Sequence, residues 1–439
     1  MVVSGLRLVN FRSYCDTTVR FGPGLNVVVG ENAAGKTNLL EAAWFALRGS
    51  SPRTRREEKL ITWGERFARV ELELEAAEAG AQQVAVGFAP GQGKSIRWEG
   101  LEVSSLDDLR GRSQVFIFVP ESLLLVKGGP ARRRAHLDAF AAALDPQYAA
   151  AVRDLQGVLR QRNAQLAAVR NGADAAALDP WDAQFARVAA ELGRRRRDLV
   201  AELETRFAET AAALAPAGER FTLRLVAQLE GVGYDEAALL EELRARRPGE
   251  VGRGLSLFGP QRDDLRFLEV AAASAPGEAP APQGNGDEVG GRGPAGGSAS
   301  PPAPIVPTVT GGPVCGPAAF PRGGRDLRLF GSQGEQRAAV LALLLAEQRL
   351  AAERTGQQGP LFLDDVMSEL DDSRRRLLVL MLATAGQAII TTTNRHYFTD
   401  DELADATVVQ LPLAGSLAAG EAPPPLDEAP PAPPDLDAL

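Results

Sequence analysis

The sequence predicts an α/β fold: a nucleotide-binding head with a mixed sheet, interrupted by an inserted α-helical domain. Three observations carry this. The apolar run Leu25-Asn26-Val27-Val28-Val29 and the helix-like Asn38-Leu39-Leu40-Glu41-Ala42-Ala43-Trp44 flank Gly30-Glu31-Asn32-Ala33-Ala34-Gly35-Lys36-Thr37. That is the pattern G-x-x-x-x-G-K-T in the strand, loop, helix setting that gives it mechanical meaning. From Pro130 to about Ala245 apolar residues recur at three- and four-residue spacing, which is helical. Strand-like sequence then returns and ends in Pro360-Leu361-Phe362-Leu363-Asp364-Asp365-Val366, an apolar run closed by two acids.

At the N-terminal end, Val3 to Phe11 alternates as a strand does, Arg12-Ser13-Tyr14 reads as a polar turn, and Thr18 to Phe21 reads as its return. Gly22-Pro23-Gly24 turns the chain into the strand that delivers the loop. In that loop Gly30 and Gly35 let the backbone N–H groups of Glu31, Asn32, Ala33 and Ala34 turn onto a polyphosphate. The helix beginning at Lys36, Thr37 and Asn38 adds its positive end. Lys36 reaches the β- and γ-phosphates, and Thr37 offers a hydroxyl to Mg²⁺. The chemistry expected of the loop is therefore a polyphosphate with Mg²⁺. The following loop holds Arg53, Arg55 and Arg56, either solvated or close to the nucleotide. Ala68 to Ala76, Gln83 to Phe88 and Ser95 to Trp98 alternate with period two and predict an antiparallel flank.

Gln114 opens the apolar strand Val115 to Val119, where it is either a core residue or a metal-sensing amide at the border of the helical region. Helices are expected over Ala131 to Ala143, Gln147 to Arg170 and Trp181 to Leu214, too short for a long coiled-coil arm. Arg132-Arg133-Arg134 and Arg194-Arg195-Arg196-Arg197 punctuate them. Consecutive helical positions point around the circumference, so some of these arginines are solvated. Arg133, Arg134, Arg195 and Arg196 are candidates for DNA contact.

Leu265 to Leu268 and Arg325 to Phe330 read as a hairpin extended by a low-complexity insertion, and the tail is rich in Pro, Ala and Asp. Ser332 and Gly334 then precede a long helix, Ala338 to Arg354, which ordinary capping would also explain. The run ending at Asp364-Asp365 has the layout in which the first acid serves Mg²⁺ and the second orients the attacking water. Gln387 to Thr393 is a further buried strand with hydroxyls at its ligand-facing end.

Taken together, Phe11-Arg12, Gly35 to Ala42, Gln114 with Pro120-Glu121, Gly129-Pro130 with Arg133-Arg134, Gln161-Arg162-Asn163, Trp181-Asp182, Gly259-Pro260 with Arg262-Asp263-Asp264-Leu265, Ser332-Gln333-Gly334 and Leu363-Asp364-Asp365-Val366 with Ser368-Glu369-Leu370-Asp371 resemble the ATP-binding-cassette ATPases of the SMC-like branch, and within it the RecF recombination family. The resemblance implies an ABC/SMC-type ATPase head, residues 1–112 and 251–412, and a helical lever arm over residues 113–250. By composition rather than by the resemblance, residues 271–324 and 413–439 are expected to be a disordered insertion, without counterpart in the family, and a disordered acidic tail. The resemblance also implies an ATP-dependent homodimer on gapped DNA or single-strand/duplex junctions, slow hydrolysis, and RecO and RecR as partners. Residue by residue, it implies Arg12 beside the nucleotide, Ser332 and Gly334 at the γ-phosphate of the other subunit, Thr37, Asp364 and Gln114 around the metal, and Asp365, Lys36 and Gln114 in catalysis.

Three departures stand out. Ala33-Ala34 replaces the usual Gly-Gln or Gly-Ser, tolerable if neither position needs positive φ. Gln261 replaces the usual His. Asp365 stands where transporters and SMC proteins place Glu, a departure from them that the RecF family shares, and its shorter reach suggests slow hydrolysis. The rival readings are a chromosome-organising SMC-like ATPase, against which the short helices count, and a transporter's ATPase subunit, which would show no DNA dependence.

Of the 439 residues, 48 are basic and 57 acidic, a net charge of −9, which argues against indiscriminate coating of nucleic acid. Glu421 to Leu439 holds five acids and no base, so the remainder carries about −4 and can still present a basic face. Arg far outnumbers Lys, a codon-bias signature that weakens any argument from arginine abundance. Two cysteines leave no disulfide framework. With no leader pattern and no run of about eighteen apolar residues, a cytoplasmic protein without membrane contact is expected.

Overall fold

The computed structural model describes residues 1–76, 80–216, 218–270 and 324–413. The expected insertion and tail lie outside the described residues, Gly324 and Leu413 excepted. Strands β1 (Val2–Phe11) and β2 (Tyr14–Arg20) form a hairpin, and β3 (Leu25–Val29) leads through the glycine loop into helix α1 (Lys36–Arg48). Strands β4 (Ala68–Ala76), β5 (Gly80–Ala89), β6 (Gly93–Trp98) and β7 (Leu101–Glu102) follow, then α2 (Leu106–Arg112), β8 (Phe116–Phe118) and α3 (Leu124–Lys127). The helical region comprises α4 (Pro130–Leu144), α5 (Pro146–Arg170), α6 (Asp179–Ala213) and α7 (Glu236–Arg253), with strand β9 (Arg220–Val226) before the last. The chain closes with β10 (Asp264–Val270), β11 (Arg325–Asp326), α8 (Leu327–Phe330), α9 (Gln333–Thr355), β12 (Leu361–Leu363), α10 (Asp372–Leu382), β13 (Ala388–Thr392), α11 (Asp400–Ala404) and β14 (Thr407–Gln410).

Parallel and antiparallel strands segregate into separate sheets. Of the two larger sheets, one is antiparallel, in the order β2-β1-β4-β5-β6-β7, and the other is parallel, in the order β14-β3-β13-β12-β8. The pleat of the parallel sheet sends alternate side chains to two cores. Val28, Ile117, Phe362 and Ile389 join Leu39, Leu40 and Phe45 of α1 and the apolar face of β1, β4 and β5. Val27, Phe118, Leu363 and Ile390 face α9 and the helical region. Helix α1 is thus clamped between two sheets, which fixes the loop at its N-terminus. Helix α9, buried along most of its length, does the same work on the other face by packing against α6.

Three elements depart from the sequence-based expectation. Strand β8, expected in the lever arm, is the edge of the parallel sheet, so the head continues to Val119. Strand β9 pairs with β10 in a small antiparallel sheet at the root of the helical region. Of the stretch Arg325 to Phe330, only Arg325 and Asp326 pair with β10, and Asp326 then caps the helical turn α8 through its side chain.

Two buried arginine networks pin the helices. Arg162, fully buried, holds Asp182 at 2.8 Å, Glu250 at 2.6 Å and the Ser256 hydroxyl at 2.6 Å, tying α5, α6 and α7 to the segment before β10. Arg196 does likewise with Asp138, Asp263 and the Pro260 carbonyl. Removing one member of such a network strands a buried charge, which costs about 3–5 kcal/mol.

Candidate functional site

Strands β3, β13 and β12 are adjacent and parallel, and their C-terminal ends place three segments side by side: the glycine loop, Thr391-Thr392 and Asp364-Asp365. The Gly30 N–H donates to the Thr392 carbonyl at 3.2 Å, and the Asp364 N–H to the Phe118 carbonyl at 2.8 Å. Gly35 has a φ of +93°, and a side chain there would press on the Tyr14 hydroxyl, which donates to the Gly35 carbonyl at 3.1 Å.

Lys36 is buried, and its ammonium donates to the Gly30 and Glu31 carbonyls, each at 2.7 Å. Burial lowers its pKa below the usual lysine value, opposed by the nearby charges of Asp365 and Asp364. The Thr37 hydroxyl donates to Asp364 Oδ2 at 2.8 Å, and the Thr391 hydroxyl to Asp364 Oδ1 at 2.7 Å. Thr391 also accepts from the Asp365 N–H at 3.0 Å. Asp365 has a φ of +46°, and its buried Oδ1 has no hydrogen-bond partner among the described residues. An orphaned carboxylate oxygen beside a buried ammonium is what a water-orienting acid requires, since a satisfied oxygen would have nothing to offer.

The donor set also fits Mg²⁺: a hydroxyl and one carboxylate are hard oxygen ligands, and Mg²⁺ usually takes its remaining ligands from phosphate and water. Among the described residues no group of three or more His, Cys, Asp or Glu could form an all-protein cage.

Around this centre Glu41, fully buried, is a hub to which the sequence assigned no role. It accepts from Arg12 at 3.0 and 2.9 Å, from Ser51 at 2.5 Å and from Arg53 at 3.2 Å. Arg53 also reaches Asn38, which donates to Ser13. Arg12 is thus held beside the first turns of α1. The signals for Glu41 were an acid inside an apolar helix face and its place in the stretch Gly35 to Ala42, and the threonine run ending β13 was the signal for Thr391.

Other candidates are placed differently. Gln114 precedes β8 and so lies at the opposite end of the parallel sheet from Asp364, about 16 Å of strand away. Its amide donates to the Ala143 carbonyl at 3.0 Å. The metal-sensing and catalytic reading of Gln114 is therefore overturned. What β8 delivers to the nucleotide end is Val119-Pro120.

The DNA candidates fare similarly. Arg133 is buried on Asp264 at 2.7 Å and on three carbonyls, and Arg196 is buried in the network above. Neither can reach a phosphate backbone, because each is the counter-charge of a buried acid. Arg134 turns inward to the Asp263 carbonyl at 2.7 Å. Arg195 is engaged by Glu191, Asp145 and Gln147.

Ser332 accepts from the Glu335 N–H at 3.2 Å, and Glu335 from the Ser332 N–H at 2.6 Å, a capping box at an exposed helix start. Next to it Leu329 and Phe330 are 71% and 63% exposed. Arg337, on the same helix, pairs with Glu369 at 2.5 Å, which connects the start of α9 to the segment following Asp364-Asp365.

Comparison with known proteins gives a consistent result. The model of the RecF/RecN/SMC N-terminal domain matches residues 2–410. The DNA replication and repair protein RecF of Limosilactobacillus fermentum is 32% identical over 384 residues, covering 85% of this chain and 87% of that one. Its counterpart in Geobacillus kaustophilus is 31% identical over 381 residues, covering 85% and 88%. Among solved structures, the recombination mediator protein RecF with ATP, of the RecFOR pathway, superposes with a TM-score of 0.69 at 23% identity, covering 91% of this chain and 93% of that one. The Smc head domain bound to the C-terminal domain of ScpA from Pyrococcus furiosus gives 0.51 at 14%, covering 95% and 94%. At these identities the structural likeness speaks to the fold alone. Among the described residues no helix is long and apolar enough to cross a membrane.

Proposed function

Because the chain belongs to the RecF/RecN/SMC N-terminal-domain family, we propose that it is an ATPase of DNA replication and repair, dimerising on ATP as a clamp at gapped DNA. The observation that carries the reading is the convergence at three adjacent strand ends: Thr37 on Asp364 at 2.8 Å, with the unpartnered Asp365 oxygen beside them.

On nucleotide binding, Lys36 exchanges two loop carbonyls for β- and γ-phosphate oxygens, and the backbone N–H groups of Glu31 to Gly35 surround the β-phosphate. Thr37 and Asp364 would hold Mg²⁺, which when bound neutralises charge developing on the transferred phosphate. Asp365 orients the attacking water through the oxygen it has free, while Thr391 holds both acids in register. An aspartate is one methylene shorter than a glutamate, which supports slow turnover and a long-lived ATP state. Arg12, through Glu41, positions the start of α1. Ser332 and Gly334 meet the γ-phosphate held by a second copy.

RecO and RecR are proposed partners, from the family and from the pathway in which the solved RecF acts. The test compares binding to gapped and plain duplex with ATP, ADP and no nucleotide. ATP-dependent preference for the gapped duplex is expected. Equal binding in all three conditions would remove the clamp.

A further inference from the structure

Trp63 is 84% exposed, the most exposed of the large apolar side chains among the described residues. It stands on a turn, not on a frayed segment. The Glu65 N–H closes on the Thr62 carbonyl at 3.0 Å, with Gly64 at a φ of +88°, and the Thr62 N–H donates to the Asn10 carbonyl at 2.9 Å. Thr62 itself is buried, and Ile61 bridges to Phe11. The turn therefore projects an indole that the protein does not cover.

The same loop carries Arg55, Arg56, Lys59 and Arg66, all exposed. Most arginines of this chain are matched to acids, but the side chains of these four residues make no ion pair or hydrogen bond among the described residues. Of the loop's acids, Glu57 is taken by Lys94 at 2.5 Å and Glu65 accepts from Asn10 at 3.2 Å, which leaves Glu58 as the single unengaged carboxylate. An unburied aromatic ring among unmatched cations is the chemistry of a single-stranded nucleic acid site, in which a base stacks and the backbone meets positive charge.

The loop is also tied to the nucleotide site. The Arg12 N–H donates to the Leu60 carbonyl at 2.7 Å, while the Arg12 side chain binds Glu41. Arg53 reaches Asn38, in the first turn of α1, at 3.2 Å.

We infer that the loop from Arg53 to Arg66 is where the single-stranded part of a DNA ligand lands, with Trp63 stacking on a base and Arg55, Arg56, Lys59 and Arg66 on the phosphates. This rests on the DNA-binding reading above and adds its location and strand preference. Because Arg12 and Arg53 connect the loop to α1, a strand held there senses the nucleotide state.

The test uses the full chain with ATP, titrated with an oligothymidylate and with a blunt duplex. Single-strand binding should quench tryptophan emission, since Trp63 is the exposed indole. Trp63→Ala should weaken single-strand binding about 5- to 100-fold, as expected for one lost stack, and leave duplex binding within about twofold. Trp63→Phe should restore most of the loss. The pair Arg55→Ala and Arg56→Ala should flatten the log–log salt dependence on single strands by about 1.4. Wild-type DNA binding together with unchanged affinity in Trp63→Ala would overturn this location and leave the DNA reading standing. No ATP-dependent binding by the wild type would overturn both.

Discussion

Ala33 sits in the glycine loop with a φ of +66°, in the left-handed region that costs an L-residue roughly 1–2 kcal/mol. The resemblance put glycine at this position, and the sequence could not say whether the substitution mattered, because φ is not written in it. The structure shows that the position does need positive φ, so the alanine is strained. Ala33→Gly relieves the strain but gives the unfolded chain about 0.4–1 kcal/mol of extra entropy, so a net gain of about 0.8 kcal/mol is expected in denaturant unfolding. Ala33→Val adds a β-branch where left-handed backbone is least tolerated, and should lose ATP binding in a nucleotide titration. Two further substitutions separate binding from chemistry. Lys36→Ala removes the side-chain ammonium among the loop's donors, and fluorescent-nucleotide titration should show binding lost. Asp365→Asn keeps the loop intact but removes the carboxylate with the free oxygen, so ATP should bind while single-turnover hydrolysis falls at least about 100-fold. Rapid turnover in that variant would move the water-orienting role elsewhere.

Among the elements, helices α4 to α6 and the strands bordering the glycine loop were legible because period 3.6 and period 2 are written directly in the apolar residues. What those helices do with their arginines was not legible. Adjacent positions such as Arg195 and Arg196 look alike in sequence, yet one is 28% exposed and the other lies buried against Asp138 and Asp263, and only tertiary packing decides which. The place of Gln114 is hidden for a related reason: the apolar run after it marks a strand, but the strand's direction and neighbours, which set the end at which a residue sits, come from the parallel pairing with β12. A contact between elements that no local pattern announces is His136 of α4 with Glu347 of α9, at 2.9 Å. Burial disfavours the charged ring, but the charge and hydrogen bond of Glu347 together overcome this and raise the His136 pKa above its usual value. A pKa raised on folding gives stability that is complete below the unfolded value of about 6.5 and is lost as pH rises through the folded value. Wild type should therefore exceed His136→Gln in urea midpoint by more at pH 6 than at pH 8.5. A difference independent of pH would mean that the ring contributes by packing alone.

For the whole molecule the question is whether one chain makes a complete site. Lys36, Thr37, Asp364 and Asp365 converge within a single copy, but Ser332 stands at an exposed helix start beside Leu329 and Phe330, two large apolar side chains left uncovered on the same edge. A helix N-terminus offers free N–H donors and a favourable dipole to an anion, so a γ-phosphate presented by a second copy would bind there and ADP would not. ATP would then act as the interfacial glue, with Leu329 and Phe330 buried as the seam closes. Ser332→Arg places bulk and charge at that seam. It also removes a cap worth about 1 kcal/mol, so its unfolding midpoint must be measured alongside. Monomeric ATP binding should stay nearly intact, while ATP-dependent dimerisation, hydrolysis and DNA binding are lost together. Mixing Ser332→Arg with Lys36→Ala chains tests the geometry directly. Each mixed dimer can form one complete site, from the glycine loop of the first chain and Ser332 of the second, so the mixture should recover part of the hydrolysis that neither chain has alone. No recovery, with Ser332→Arg dimerising on ATP as wild type does in light scattering, would reduce Ser332 to an ordinary helix cap.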